Sequence, residues 1–197
     1  MNSYIHSKKL SKTQEKLLNS ALFLFVEKGY FNTSIPDLVQ HSSVSTGSIY
    51  HAFKDKEAIA NALMRALLEQ IENEQQAILD QHHSSWERFY VLSKWMIETA
   101  YQHPHVMQFV LNARHKEFLP NLPPICSSQP FLTLRNVIQQ GMDDGELKEM
   151  DLMIAASSSF GGVLRLIQLG LDGMLSEPLP TYLDQITQVS WQGIVKQ

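Results

Sequence analysis

Cysteine is nearly absent from this chain: Cys126 is the one thiol among 197 residues. An internal disulfide is therefore excluded, and the composition fits a reducing cytosol. The opening residues, MNSYIHSKKLSK, hold no apolar stretch, so no signal peptide is expected. The longest unbroken apolar run, Ala21 to Val26, falls far short of the ~20 residues that a bilayer demands. No segment alternates apolar and polar residues for long, so no sheet is expected. Internal repeats and low-complexity runs are missing too. These absences leave a helical chain of one or two domains, cytoplasmic and without membrane association, with enough length to bury a core.

Catalytic constellations are also lacking. Cys126 lies in a proline-serine loop with no oxyanion or glycine-rich element beside it, so nucleophilic catalysis has no support. His103, His105, His115 and Cys126 are donor types for a metal, but their spacing is wrong: His103 and His105 point apart on a helix, and His82-His83 falls in a polar loop. No metal, no cofactor and no enzymatic activity are expected.

What is present is concentrated in Ile35 to Phe53, IPDLVQHSSVSTGSIYHAF. Ser34, Pro36 and Asp37 have the spacing of a helix start, where a hydroxyl and a carboxylate satisfy orphan amides. That helix should run to about His41, turn through Ser42-Ser43-Val44, and give way to a second helix capped by Ser45 and reaching about Phe53. At 100° per residue Ile49 and Phe53 share one stripe of the second helix. Gly47 and His51 fall on the other side, flanked by Ser48 and Tyr50. One side can pack on a domain while the short-chained side lies in a DNA groove. Lys54 and Lys56 follow, placed for flanking phosphates. No Arg, Lys, Asn or Gln occurs between Ser45 and Phe53, so the strongest bidentate base contacts are missing. Readout then falls to Thr46, Ser48, Tyr50 and His51, with DNA shape contributing more than usual.

Upstream, Ser11 and Gln14 form a capping box for a helix bearing Leu17, Leu18, Ala21, Leu22 and Phe25 at helical spacing, closed by Gly29. With these residues the chain resembles the TetR/AcrR family of bacterial transcriptional regulators. The match rests on Phe25, Gly29, Tyr30, Thr33, Ser34, Ile35, Val44, Ser45, Gly47, Tyr50, His51, Phe53, Lys54, Lys56 and Glu57, and covers about Thr13 to Ile59. One departure stands out: the family usually has Ala-Gly before Val44, and this chain has Ser42-Ser43. By resemblance, the DNA contacts are carried by Thr33, Ser34, Ser45, Thr46, Gly47, Ser48, Tyr50, His51, Lys54 and Lys56.

Charge is unevenly divided. Residues 1–60 hold seven Lys/Arg against five Asp/Glu, a balance of +2, and residues 61–197 hold nine against fifteen, a balance of −6. A mildly basic head on an acidic body suits local phosphate contact. Lys8, Lys9 and Lys12 lie in a tail that leans towards disorder.

The remainder reads as further helices. Asp55 should cap one to about Leu79, and Ser84 with Glu87 boxes another that ends near His103-Pro104. A third should run from about His105 to Glu117. Ser127 or Ser128 caps one to about Met142, Asp151 opens one to about Asp172, and a last follows Pro180 to about Val195. Small residues Ala155, Ser159 and Gly162 stack on one helix face beside Val163 and Leu166, and the last helix offers Leu183, Ile186 and Ser190.

The resemblance implies a homodimer in which these last two helices of each subunit form the interface. It also implies an effector pocket among the middle helices, with Trp86, Tyr90, Trp95, Met96, His103, Met107, Leu111, Arg114, Phe131 and Leu164 as candidates. The expected architecture is all-α with about nine helices: a three-helix helix-turn-helix domain over 1–54, whose tail is 1–10, then an effector-binding and dimerisation domain over 55–197. The expected function is repression, released when a small apolar or amphipathic effector draws the protein off double-stranded operator DNA. A regulator of the same fold that answers to a protein partner, or that activates, stays open.

Overall fold

The computed structural model describes residues 3–112 and 115–196. It is helical throughout, and among the described residues the one β-pairing is an isolated bridge between Leu147 and Val195. The helices are α1 (Lys12–Glu27), α2 (Ile35–Ser42), α3 (Thr46–Ala52), α4 (Lys56–Leu79), α5 (Ser85–Gln102), α6 (Pro104–Met107), α7 (His115–Phe118), α8 (Gln129–Asp143), α9 (Leu152–Leu171) and α10 (Leu183–Gln192). Two compact units result: residues 1–71 with 105–125, and residues 72–104 with 126–197.

In the first unit α1, α2 and α3 pack on one another. Leu17, Leu18, Ala21, Leu38, Ile49, Ile59 and Leu63 are fully buried and form its centre. The capping boxes expected at Ser11–Gln14 and Ser34–Asp37 both form. Gly29 follows the C-cap of α1 with φ +81°, a left-handed value that glycine adopts at no steric cost.

The N-terminal tail departs from expectation. Ile5 is fully buried, and the amides of Tyr4 and Ile5 both donate to Asn19 Oδ1, at 3.0 and 3.1 Å. Gln70 Nε2 donates to the Tyr4 carbonyl at 2.7 Å, while Gln70 Oε1 accepts from the His6 amide at 3.1 Å. Lys9 pairs with Glu69. An apolar anchor with satisfied backbone groups replaces the disordered-leaning tail.

The segment expected as one helix from His105 to Glu117 is also different. Pro104 opens α6, the chain widens into a π-turn over Gln108–Asn112, and α7 resumes at His115. The π-turn accounts for ten helices where about nine were expected.

In the second unit α5 packs against α8, α9 and α10, and α9 against α10. Phe89, Leu92, Ile97, Ile138, Val163 and Ile167 are fully buried. Ser84 and Glu87 box the start of α5 and Asp151 caps α9 as expected, while Ser128 occupies the N-cap of α8 without a side-chain bond. The last helix stops at Gln192, short of Val195, because the chain turns aside to pair: Lys148 donates to the Ile194 carbonyl at 2.8 Å and Lys196 to the Glu146 carbonyl at 3.1 Å.

Gly141 in α8 marks the tightest approach in this unit. A Cβ there would lie 2.6 Å from Ser85 Oγ and 2.8 Å from Leu147 Cδ1. Ser85 can rotate away, but Leu147 is buried and must move. Gly141→Ala is expected to cost about 1–2 kcal/mol in urea denaturation, since the overpacking exceeds the ~1 kcal/mol gain in helix propensity.

Candidate nucleic-acid interface

The α2–turn–α3 element presents one face of α3 outward. Ile49 is fully buried and Phe53 nearly so, which anchors α3 on the domain. Ser45, Thr46, Gly47, Ser48, Tyr50, His51 and Lys54 are all exposed. Ser45 Oγ accepts from the Ser48 amide at 3.2 Å, and the two hydroxyls lie 2.8 Å apart, so the cap fixes the first turn of the exposed face. A Cβ added at Gly47 would meet nothing within 4 Å. Folding therefore does not require glycine there, although a helical glycine costs up to ~1 kcal/mol relative to alanine. What it provides is a low helix surface for close approach by an outside backbone. Ser34, also exposed, is occupied as the cap of α2.

The turn between the helices is closed by Ser43, at φ +56° and ψ +27°. Among the described residues it is the non-glycine residue with positive φ. This explains how the chain does without the family's glycine: the serine itself takes the left-handed conformation. Ser42 supports it, its hydroxyl accepting from the Val44 amide at 3.2 Å. Left-handed backbone costs a non-glycine residue about 1–2 kcal/mol. Ser43→Gly is expected to gain about 0.5–1 kcal/mol in chemical denaturation, after allowing for the greater freedom of glycine in the unfolded chain.

Two residues assigned to DNA by the sequence are turned inward. Thr33 is 1% exposed, and its hydroxyl donates to the carbonyls of Leu24 at 3.2 Å and Gly29 at 2.9 Å. It holds the end of α1 to the start of α2. Lys56 Nζ donates to the carbonyls of Tyr30 at 2.8 Å and Thr33 at 2.7 Å, and lies 4.3 Å above the Tyr30 ring. Burial pulls its pKa below the ordinary lysine value. Tyr30 in turn stacks on Phe118 at 4.4 Å. Lys56→Met is expected to cost about 1–2 kcal/mol of stability, by loss of two charge-assisted bonds at a partly exposed site. Lys54→Met should leave the melting temperature alone and reduce the salt slope of DNA binding by about one unit per protomer.

Asp37 completes the frame. Its carboxylate accepts from the Ser34 amide at 2.8 Å and pairs with Lys28 at 2.7 Å. The Lys28 ammonium, then the bonds from Ser34, hold its pKa well below the carboxylate range. This contribution to the start of α2 is present above the unfolded pKa and is lost as pH falls through the folded one.

Residues 17–63, the segment just described, match the family model of bacterial regulatory proteins of the tetR family. The chain is 28% identical over 144 residues to the HTH-type transcriptional repressor KstR2 of Mycolicibacterium smegmatis, covering 68% of this chain and 67% of that one. It is 26% identical over 191 residues to the HTH-type transcriptional regulator YvkB of Bacillus subtilis, covering 92% and 97%. The N-terminal segment thus carries a tetR-family domain, and the rest of the chain is similar to transcriptional regulators at lower identity.

The fold is shared along its length with a protein of known structure. The crystal structure of FadR from Bacillus subtilis in complex with stearoyl-CoA superposes with a TM-score of 0.78 at 17% identity, over 90% of this chain and 97% of that one.

The residues assigned to a TetR-type effector pocket are scattered. Trp86 packs on Phe89, Tyr90 and Trp191, with ring centroids 6.0, 5.7 and 5.3 Å away. Tyr90 Oη donates to Asp184 at 2.7 Å, and Trp95 Nε1 to Glu74 at 2.9 Å. Met96 is buried, while His103, Phe131 and Leu164 are half-buried. Met107 and Leu111 belong to the first unit. Arg114 lies outside the described residues. Two cavities of the second unit are lined by none of the ten.

The interface residues need correction as well. Ala155, Ser159 and Val163 are buried within the chain. A Cβ on Gly162 would lie 2.9 Å from Ser190 Oγ and 3.4 Å from Ile186 Cδ1. The stripe of small residues thus admits α10 of the same chain. Leu166, Leu183 and Ile186 are half-buried. The open side of α9 carries Met153, Ile154, Ser157, Ser158 and Arg165, with Gly161 and Leu164 half-buried beside them.

Sequence reading passed over one property of α9. Leu152–Leu171 is long and apolar enough to cross a membrane by length and composition, with a mean hydropathy of 1.4, yet only 28% of that window is buried within the chain.

Proposed function

We propose that this chain is a TetR-family regulator, a homodimeric repressor that a small apolar or amphipathic effector releases from its operator. The observation that carries DNA binding is the outward face of α3 with its flanks Ser45 and Lys54, which together expose seven residues that take no part in the core. One seven-residue helix reaches few base edges, and a dimer places a second copy one DNA turn away. The open side of α9, where Met153 and Ile154 are more than half exposed, supports dimerisation, since apolar side chains grouped on one face in water favour a partner. A second copy of the same chain, laid against Ile154, Ser158, Gly161 and Val189, is the occupant that closed symmetry favours.

The similarity to a structure holding stearoyl-CoA supports an amphipathic effector with a long apolar part. Release requires that the effector bind the DNA-incompetent state more tightly, typically by about 1–3 kcal/mol. The functional division follows: residues 1–54 read DNA, and residues 55–197 dimerise and sense, in the cytoplasm where operator and effector meet. A protein partner or an activating role would leave the same α3 face and differ in what releases it.

The test is selection of bound fragments from genomic DNA by the purified protein, repeated with long-chain acyl-CoA and with the matching free fatty acid. One palindromic site, retained alone and lost on addition of effector, is the expected result. Failure to retain any duplex at low ionic strength would end the DNA-binding reading.

A further inference from the structure

The second unit holds a groove that is lined by none of the residues assigned to DNA or to the effector pocket. It is formed by the last turns of α4, the start of α5 and one side of α8, and has a volume of about 470 Å³. Eight of its ten lining residues carry polar side chains, the reverse of the apolar lining expected for a lipid-like effector.

Arg88 is fixed in it: Nε donates to the His82 carbonyl at 2.9 Å and Nη1 to Gln140 Oε1 at 3.0 Å. Those bonds use two of five guanidinium donors. Among the described residues no carboxylate lies within 4.0 Å of it. Asp80, on the same groove, accepts from Gln76 Nε2 at 2.7 Å through Oδ1, and Oδ2 has no partner among the described residues. Thr133 and Asn136 add a hydroxyl and a carboxamide from α8.

We propose that this groove binds a small hydrophilic anion, a phosphate or carboxylate that also carries hydroxyl groups. The pre-oriented guanidinium fork takes the anionic oxygens, which is the geometry arginine suits best. Asp80 accepts from a hydroxyl at the other end of the ligand, and the carboxamides, each both donor and acceptor, complete the shell. Such a ligand would tie the end of α4 to α8 independently of any apolar effector.

Calorimetric titration of the full-length protein tests this with glucose 6-phosphate and 3-phosphoglycerate as phosphates, gluconate and citrate as carboxylates, and glucose as the neutral control. At least one anion is expected to bind saturably and glucose not at all; the arm that binds identifies the anionic group. Asn136 is exposed, so Asn136→Asp should place a repelling charge in the groove without altering the melting temperature, and should weaken the anion at least tenfold. Arg88→Gln should weaken it further. If no anion binds, if glucose binds equally, or if the Asn136→Asp variant keeps wild-type affinity, the groove is not an anion site.

Discussion

His51→Ala is expected to weaken operator binding by roughly 30- to 150-fold and to relax base preference at one position in each half-site. His51 is exposed on α3, and among the described residues its side chain makes no hydrogen bond. Its removal should leave the fold untouched. A single imidazole bond to a purine edge contributes about 1–1.5 kcal/mol, and a dimer loses it twice, for about 2–3 kcal/mol in all. The loss should fall on the cognate site alone, which separates it from a phosphate contact. Lys54→Met weakens cognate and random duplexes alike and shows itself in the salt slope. Fluorescence anisotropy on a cognate duplex, a half-site variant and a scrambled duplex, at two salt concentrations, resolves the two effects. Unchanged affinity with unchanged preference would remove His51 from base readout and leave Thr46, Ser48 and Tyr50 to carry it.

The features legible in the sequence are those in which cause and effect lie within one helical turn. Ser11 with Gln14, Ser34 with Asp37 and Ser84 with Glu87 each satisfy amides three residues away, so spacing alone specifies them. Ile49 and Phe53 were separable from Gly47 and His51 by helical period for the same reason. Thr33 was not: its hydroxyl reaches Leu24, nine residues back, and this depends on how α1 meets α2. The docking of Ile5 rests on Asn19 and Gln70, far along the chain, and nothing local announces it. Lys56 looks like a phosphate ligand by position, and becomes a clamp because two carbonyls of the Tyr30–Thr33 loop converge on it. The π-turn over Gln108–Asn112 has no sequence signal that helical spacing detects. In α9 the period correctly identified a stripe of small residues, but periodicity does not say which helix fills it.

That last ambiguity yields the sharpest prediction, because two adjacent glycines separate the two surfaces of α9. A Cβ on Gly162 would press on Ser190 and Ile186 of the same chain, whereas a Cβ on Gly161 would meet nothing within 4 Å. Gly162→Leu is therefore expected to destabilise the protomer itself by about 1–3 kcal/mol, through overpacking against α10. Gly161→Glu should leave the protomer folded, and slightly favour its helix, since glycine is the weaker helix former. Its cost would fall on association: by two-fold symmetry the carboxylate enters the interface twice, and each copy loses solvation without a partner. A loss of roughly 3–5 kcal/mol in dimerisation follows, enough to convert a nanomolar dimer into a micromolar one. Sedimentation velocity at micromolar concentration should then show a helical monomer, with operator binding lost although α3 is untouched. Arg165, exposed on the same side of α9, is the cation that could blunt the effect, so Gly161→Leu serves as a second, uncharged probe. If both Gly161 variants remain dimeric and bind DNA as the wild type does, the open side of α9 is not where the second copy sits. The unburied apolar length of that helix would then need another partner.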